Sequence, residues 1–245
     1  ENEKSKKNQE IKNSHFNLVN RAERVSSWKK QNAKRARLET GMEMDVKDYF
    51  DSLTEKILDS IKDPENYSSK VENAIKYMSS DLEYVLNKHV KRSMNEFGDD
   101  ILSLGKSVFK IEETKVNKPQ RRFHDAVNQY IKTRVGDSIK HIDGTSKDKY
   151  TSIIRNVVLQ GHDEGISNPE IAKRIRTKIT SLSKGRARVI ARTETHNAAM
   201  AGSLEAAKAL EVPNLFKEWV SADDDRVRDN PEIADHSQMN GERAA

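Results

Sequence analysis

Cysteine is absent from this sequence of 245 residues, and proline, glycine and aromatic residues are scarce. Without cysteine the chain has no disulfide bond, no thiolate zinc site and no cysteine nucleophile. The 5 prolines and 10 glycines leave few interruptions to regular structure. Because 34% of the residues are hydrophobic and 34% are charged, we expect an elongated, surface-rich molecule with thin helical cores.

Long apolar runs are also missing from the sequence. No segment approaches the roughly 18 apolar residues of a membrane span, and residues 1–7 lack the apolar stretch of a signal peptide. We therefore expect a soluble protein that is made inside the cell and is not exported by the usual route.

Charge of both signs is abundant but unevenly distributed. The net charge is +5, from 44 basic and 39 acidic residues, which alone does not indicate nucleic-acid binding. Residues 1–40 carry 11 basic and 5 acidic side chains, whereas residues 211–245 carry 4 and 9. Basic and acidic surfaces are therefore expected to alternate along the chain.

Apolar residues recur at spacings of three and four between the few glycines and prolines, which is typical of helices. The pattern predicts a mainly α protein, with an elongated helical region over residues 1–145 and a small α+β domain over residues 146–245. Gly98, Gly185 and a turn at residues 143–146 are predicted to separate helices. Only residues 215–220 look like a strand. The predicted helices cover residues 8–38, 44–61, 68–96, 120–141, 147–163 and 186–210, and one more is capped by Ser167 or Asn168 and has Pro169 in its first turn.

Several short motifs follow one another in the C-terminal part. The pentapeptide I-A-R-T-E at residues 190–194 lies in an alanine-rich predicted helix, and Trp219 lies in the predicted strand. A D-x-R-x-R loop at residues 224–228, then His236 and Gly241, come after them. In this order the motifs resemble the head-morphogenesis domain of the phage Mu F-like minor head proteins, over roughly residues 150–241.

The resemblance implies a bacteriophage minor capsid protein that takes part in head assembly or DNA packaging and needs no cofactor. The implied partners are the portal protein, the major capsid protein or both, and the implied location is the capsid interior or portal vertex, after assembly in the host cytoplasm. The family pattern continues into a further short β segment, so we expect the domain to be incomplete at its C-terminal end. The motif residues are expected to fix the fold: Arg192, Glu194, Trp219, Asp225, Arg226, Arg228, His236 and Gly241.

Glu194 is the motif residue with the clearest physical role. Helical spacing puts it on the same face as Ile190 and several alanines, so its carboxylate is expected to be partly buried. A buried charge needs a partner, and an arginine at position 188, 192 or 226 would supply one. We interpret the pair as fixing how the helix docks, with a catalytic carboxylate as the alternative reading.

A basic cluster in residues 173–192 contains eight basic side chains and no acidic one. Phosphate contacts use such a density of charge and give binding without sequence specificity. No aromatic residue interleaves with the cluster to stack bases. The alternative function is therefore a non-specific DNA-binding accessory protein that contacts double-stranded DNA during packaging or ejection. The candidate residues for DNA or partner binding are Lys173, Arg174, Arg176, Lys178, Lys184, Arg186 and Arg188.

Histidine and acidic side chains suggest a metal site only weakly. His196, His236 and the aspartates at 223–225 have suitable ligand atoms for a divalent metal. However, Glu194 and His196 are two residues apart on a helix and point to different faces, and no H-E-x-x-H pair is present. We predict no metal site and keep a metal-dependent hydrolase as a third alternative.

The motifs of common catalytic sites are missing as well. The sequence contains no G-x-x-x-x-G-K-[ST], G-x-G-x-x-G or G-x-S-x-G pattern. An ADP-ribosyltransferase would have an E-x-E pair, whereas the alternate neighbours of Glu194 are Arg192 and His196. We therefore expect no catalytic residue and no enzymatic activity.

Overall fold

The structure is a computed structural model, and it describes residues 21–60, 67–109, 117–211, 217–218 and 243–244. Most of these residues lie in long helices, and a five-residue π-helical segment, Ile131–Val135, joins two of them. The helices are α1 (Arg21–Ser60), α2 (Tyr67–Phe109), α3 (Asn117–Tyr130), α4 (Gly136–Asp163) and α5 (Asn168–Ala209), and the strands are β1 (Lys217–Glu218) and β2 (Arg243–Ala244).

The chain divides into two units, one made of Glu1–Ala36 with Val212–Ala245 and the other of Arg37–Glu211. In the first unit, β1 pairs with β2 in antiparallel fashion, with Lys217 opposite Ala244 and Glu218 opposite Arg243. The second unit is a helical bundle and contains the candidate site.

Successive long helices of the bundle run in opposite directions. Between α1 and α2, between α2 and α4, and between α4 and α5, the contacts advance along one helix as they retreat along the other. Arg37 and Asp45 of α1 contact Glu96 and Lys88 of α2, in that order. Glu72 and Ser79 of α2 contact Lys147 and Asp143 of α4. Ile142 and Tyr150 of α4 contact Arg186 and Ser183 of α5. The chain thus folds up and down as a bundle of antiparallel helices.

The core forms where the apolar stripes of these helices meet. Phe50, Leu86, Tyr150 and Ile179 are fully buried, with 0% of their surface exposed, and they come from four different helices. Burying a side chain of this size contributes about 1.5–3 kcal/mol, so the stripes rather than helix propensity hold the bundle together.

Small residues bring α2 and α5 close together. Gly202 of α5 faces the backbone of Met94 in α2, where a Cβ would find no room. Ala191, Ala198 and Ala206 of α5 are buried along the same helix. The alanine-rich composition of this segment therefore serves close helix packing as well as helix formation.

The predicted turn at residues 143–146 is wrong, because α4 continues through it. The hydroxyl of Thr145 donates to the carbonyl of His141 at 2.8 Å, and the hydroxyl of Ser146 donates to that of Ile142 at 2.7 Å. Both side chains are satisfied inside the helix instead of capping a new one.

Both glycines that were predicted to separate helices lie within helices. Gly98 is inside α2, where its missing Cβ leaves space for the ring of Phe123 in α3. Gly185 is inside α5, which runs without a break from Asn168 to Ala209. Likewise, α1 joins the described part of the two helices predicted at 8–38 and 44–61, whereas residues 8–20 lie outside the described residues.

The predicted α+β domain over residues 146–245 is also wrong. Its described part consists of helices and the short connection between α4 and α5, apart from β1 and β2, which have two residues each. The remainder of α4 and all of α5 pack into the bundle core. A single apolar run such as 215–220 indicates local strand preference, but a sheet layer needs several long partners. The predicted boundary at residue 145 stays a prediction.

Over the ranges that the structure describes, no helix is long and apolar enough to cross a membrane.

Candidate partner-binding groove between α4 and α5

An open groove of about 610 Å³ runs between α4 and α5. Its walls mix apolar and charged side chains, and the I-A-R-T-E segment of α5 forms part of one wall. The lining residues include His141, Ile142, Thr145 and Lys149 of α4 and Leu182, Gly185, Arg186, Val189, Ile190, Thr193 and Glu194 of α5.

Arg186 lies across the groove from α5 to α4 and is half-buried. Its Nη2 donates to Thr145 Oγ1 and Ser146 Oγ, both at 2.9 Å, and to the carbonyl of Ile142 at 3.3 Å. Its Nε is also buried, and no described residue accepts a hydrogen bond from it. Burial lowers the pKa of the Arg186 guanidinium below its usual value. Within the described part of the chain, only neutral oxygens receive its hydrogen bonds, and its guanidinium carbon lies 5.7 Å from the centroid of the Phe50 ring, so Arg186 has no counter-charge there.

Glu194 lies eight residues further along α5 and is partly buried. Burial raises the pKa of its carboxyl group, and a hydrogen bond from Ser138 of α4 opposes that shift. Among the described residues, no basic side chain forms an ion pair with it. Of the three arginines predicted as partners, Arg188 lies 3.4 Å from Glu43 and Arg192 is exposed, while residue 226 lies outside the described residues.

The π-helical segment lies beside Glu194. It begins directly after Tyr130, whose pKa is raised by burial and by the negative charge of Glu194. Ser138, which binds Glu194, follows three residues after the segment ends. Short π-helical segments within α-helices are frequent at functional sites, and this one lies at the Glu194 end of the groove.

Most of the basic cluster is already engaged by acidic or polar groups of the bundle. Arg174 lies 2.6 Å from Glu164, and Arg176 lies 2.8 Å from Glu55. Two contacts are longer, at 3.9 Å between Lys173 and Glu170 and 3.4 Å between Arg188 and Glu43. Over the described ranges, the exposed basic side chains of the cluster with no ion pair are Lys178, Lys184 and Arg192.

The groups suggested as metal ligands do not form a cluster in the described part. His196 is exposed on α5, while residues 223–225 and 236 lie outside the described residues. No group of three or more histidine, aspartate or glutamate side chains able to hold a metal occurs where the structure is described. Of the residues predicted to fix the fold, Arg192 and Glu194 are described, whereas the side chains from Trp219 to Gly241 are not.

Sequence reasoning missed a polar pair between α1 and α2 that joins a buried histidine to a half-buried aspartate. The Nε2 atom of His89, a residue with 4% of its surface exposed, lies 2.8 Å from Asp45 Oδ2. Lys88 also donates a hydrogen bond to Asp45. The hydrogen bond from Lys88 has the larger effect and that with His89 the next largest, and both lower the pKa of the aspartate. The sequence did contain an indication that His89 is buried, since its spacing from Leu82 and Leu86 puts it on the same helical face.

Comparison with known families connects this region to phage proteins. Residues 152–244 match the family described as "Phage Mu protein F like protein". The match confirms the resemblance drawn from the motifs, and it includes all of α5 and therefore one wall of the groove. It covers less than half of the chain. No curated protein and no solved structure matches the chain.

Proposed function

We propose that this chain, which is similar to phage Mu protein F over residues 152–244, is a minor capsid protein that acts in head morphogenesis through protein–protein contacts. The family match supports the broader statement that the protein is related to the phage head. The finer role, with portal protein or major capsid protein as partner and the capsid interior or portal vertex as location, is our proposal.

The observation that carries the proposal is the groove between α4 and α5. It combines an exposed apolar residue, Val189, with two half-buried charges, Arg186 and Glu194, that lack counter-charges in the described part of the chain. Desolvated charges without partners reduce the stability of an isolated protein, and a protein partner that supplies opposite charges removes that penalty. The helix that matches the family therefore presents a surface suited to another protein.

Double-stranded DNA is the second candidate partner, and it has weaker support. The exposed basic residues Lys178, Lys184 and Arg192 are the ones in the cluster without described ion pairs. Contacts with phosphate from so few residues would add only a modest, salt-sensitive affinity. The sequence of residues 173–192 contains eight basic side chains, but the fold leaves fewer of them available for phosphate, so the structure supports DNA binding less than the sequence does.

Purification of assembling heads tests the proposal directly. The chain, carrying an affinity tag, is produced during phage infection, and purified heads, portal complexes and assembly intermediates are analysed by mass spectrometry. We expect the chain in particles or intermediates together with portal or capsid protein. Its absence from all of these fractions would refute the head-assembly role.

A pair of surface substitutions tests whether the groove takes part. Val189→Glu places a charge on the exposed apolar residue of the groove, and Leu159→Glu does the same on α4 outside it; the two positions are 64% and 55% exposed. Both variants should keep the helical circular-dichroism spectrum. We expect Val189→Glu to reduce recovery with heads several-fold and Leu159→Glu to leave it unchanged. Equal recovery of the two variants would remove the groove from the proposal.

A further inference from the structure

Arg186 and Glu194, the two half-buried charges of the groove, are arranged symmetrically along α5. Arg186 lies four residues before Ile190 and Glu194 four residues after it. With a rise of 1.5 Å per residue, the two Cα atoms are about 12 Å apart along the helix. The surface between them contains Val189, which is 64% exposed.

This order of charges is complementary to itself when a second helix runs in the opposite direction. A two-fold axis near Ile190 places residue 186 of each copy opposite residue 194 of the other. A parallel arrangement would instead place arginine opposite arginine and glutamate opposite glutamate. Symmetric dimers use the same patch on both subunits, so a self-complementary patch is what such an interface requires.

We propose that a second copy of this chain docks on the groove with its α5 antiparallel, so that Arg186 of each copy pairs with Glu194 of the other. The inference rests on the proposed function of the groove as a protein-binding surface and names its occupant. Each pairing would join two groups that burial has already partly desolvated, so much of the desolvation cost is present before docking. Two such pairs would form in the dimer.

The rest of the groove suits a neighbouring helix. Val189 supplies exposed apolar surface at the centre, with Leu182 on the Arg186 side. Gly185 has no other described residue within 4 Å of where a Cβ would be, so a second backbone could approach there. Lys149 lines the α4 wall and gives it a positive charge, which favours an acidic group from the partner.

The absence of native cysteine makes a cross-linking test specific. In the proposed dimer, the two residues at position 189 lie about 3 Å apart along the helices, and packed helix axes are about 8–10 Å apart. Val189→Cys in the full chain should therefore form a covalent dimer with a short bis-maleimide. Leu159→Cys is the matched control, since Leu159 is similarly exposed at 55% but does not line the groove.

We expect dilute Val189→Cys protein to give several-fold more covalent dimer than Leu159→Cys, as seen on a denaturing gel and by mass spectrometry. Equal yields from the two variants would overturn the proposal. Recovery with heads is measured separately, so a chain that enters particles but does not cross-link at position 189 would refute the dimer and leave the proposed function standing.

Charge reversal tests the pairing itself. Arg186→Glu and Glu194→Arg are each introduced into the Val189→Cys chain, and circular dichroism confirms that both variants are folded. Each alone should lose the cross-link, because like charges meet. Mixing them should restore it, since one chain then has two glutamates and the other two arginines. If Arg186→Glu fails to fold, Glu194→Lys alone should still abolish the cross-link, and an undiminished yield would contradict the proposal.

Discussion

Gly202 of α5 lies against the backbone of Met94 in α2, with no room for a Cβ between the two helices. Backbone atoms cannot move aside as the end of a flexible side chain can. The position of these helices therefore depends on a hydrogen atom at residue 202, and the same helix offers a second glycine, Gly185, in open surroundings.

Gly202→Ala should lower the free energy of unfolding by about 1–3 kcal/mol, because the added methyl group forces α2 and α5 apart. Gly185→Ala is the matched control, with no described neighbour within 4 Å of the new Cβ. It should raise the free energy of unfolding by about 0.5–1 kcal/mol, since alanine favours the helix. Urea unfolding measures both. Equal effects at the two positions would contradict the close approach at Gly202.

Asp45 should make the bundle sensitive to acid. Hydrogen bonds from Lys88 and then His89 hold its pKa below the ordinary value of 3.8, so its stabilising contribution is present at neutral pH. That contribution is lost as the pH falls from about 3.8 through the lower pKa of the folded state. Asp45→Asn should be less stable than the parent chain at pH 7, and the difference should shrink towards pH 2. Urea unfolding across this range checks the sign.

Glu194 should behave in the opposite way. Burial raises the pKa of its carboxyl group, so ionisation costs stability above that pKa, and the cost disappears as the pH falls through it. In monomeric protein, Glu194→Gln should therefore raise the melting temperature at pH 7 and have little effect at acidic pH. A thermal melt at low protein concentration keeps self-association out of the measurement. Destabilisation at pH 7 would instead indicate a counter-charge for Glu194 within the chain.

DNA binding should depend only weakly on salt. If Lys178, Lys184 and Arg192 are the cluster residues free to contact phosphate, the logarithm of the binding constant should fall with a slope of about −3 or less steep against the logarithm of salt concentration. Replacing all three by alanine should abolish the measured binding. A slope near −6 would show that the ion-paired arginines also reach DNA, and it would favour the DNA-binding alternative.

Local sequence patterns predicted where helices form and several of the ends, such as Asp163 and the end near Ala209, but not which predicted helices are continuous. Apolar spacing identified the buried faces around Leu53, Leu86 and Ile175, since a helix repeats its environment every three to four residues whatever it packs against. The helix boundaries predicted at Gly98 and Gly185 were wrong, because glycine can either end a helix or permit close approach of a neighbouring residue within one. Only the location of Phe123 distinguishes these roles for Gly98.

The candidate site shows the same division. The sequence by itself determined the cysteine-free, highly charged composition, the helical periodicity and the motif order that connects residues 152–244 to phage Mu protein F. Tertiary structure decided that Arg176 is paired with Glu55, 121 residues away, and that Arg186 and Glu194 remain in a shared groove. Charge compensation depends on distance in space and on burial, and neither can be read from the order of residues along the chain.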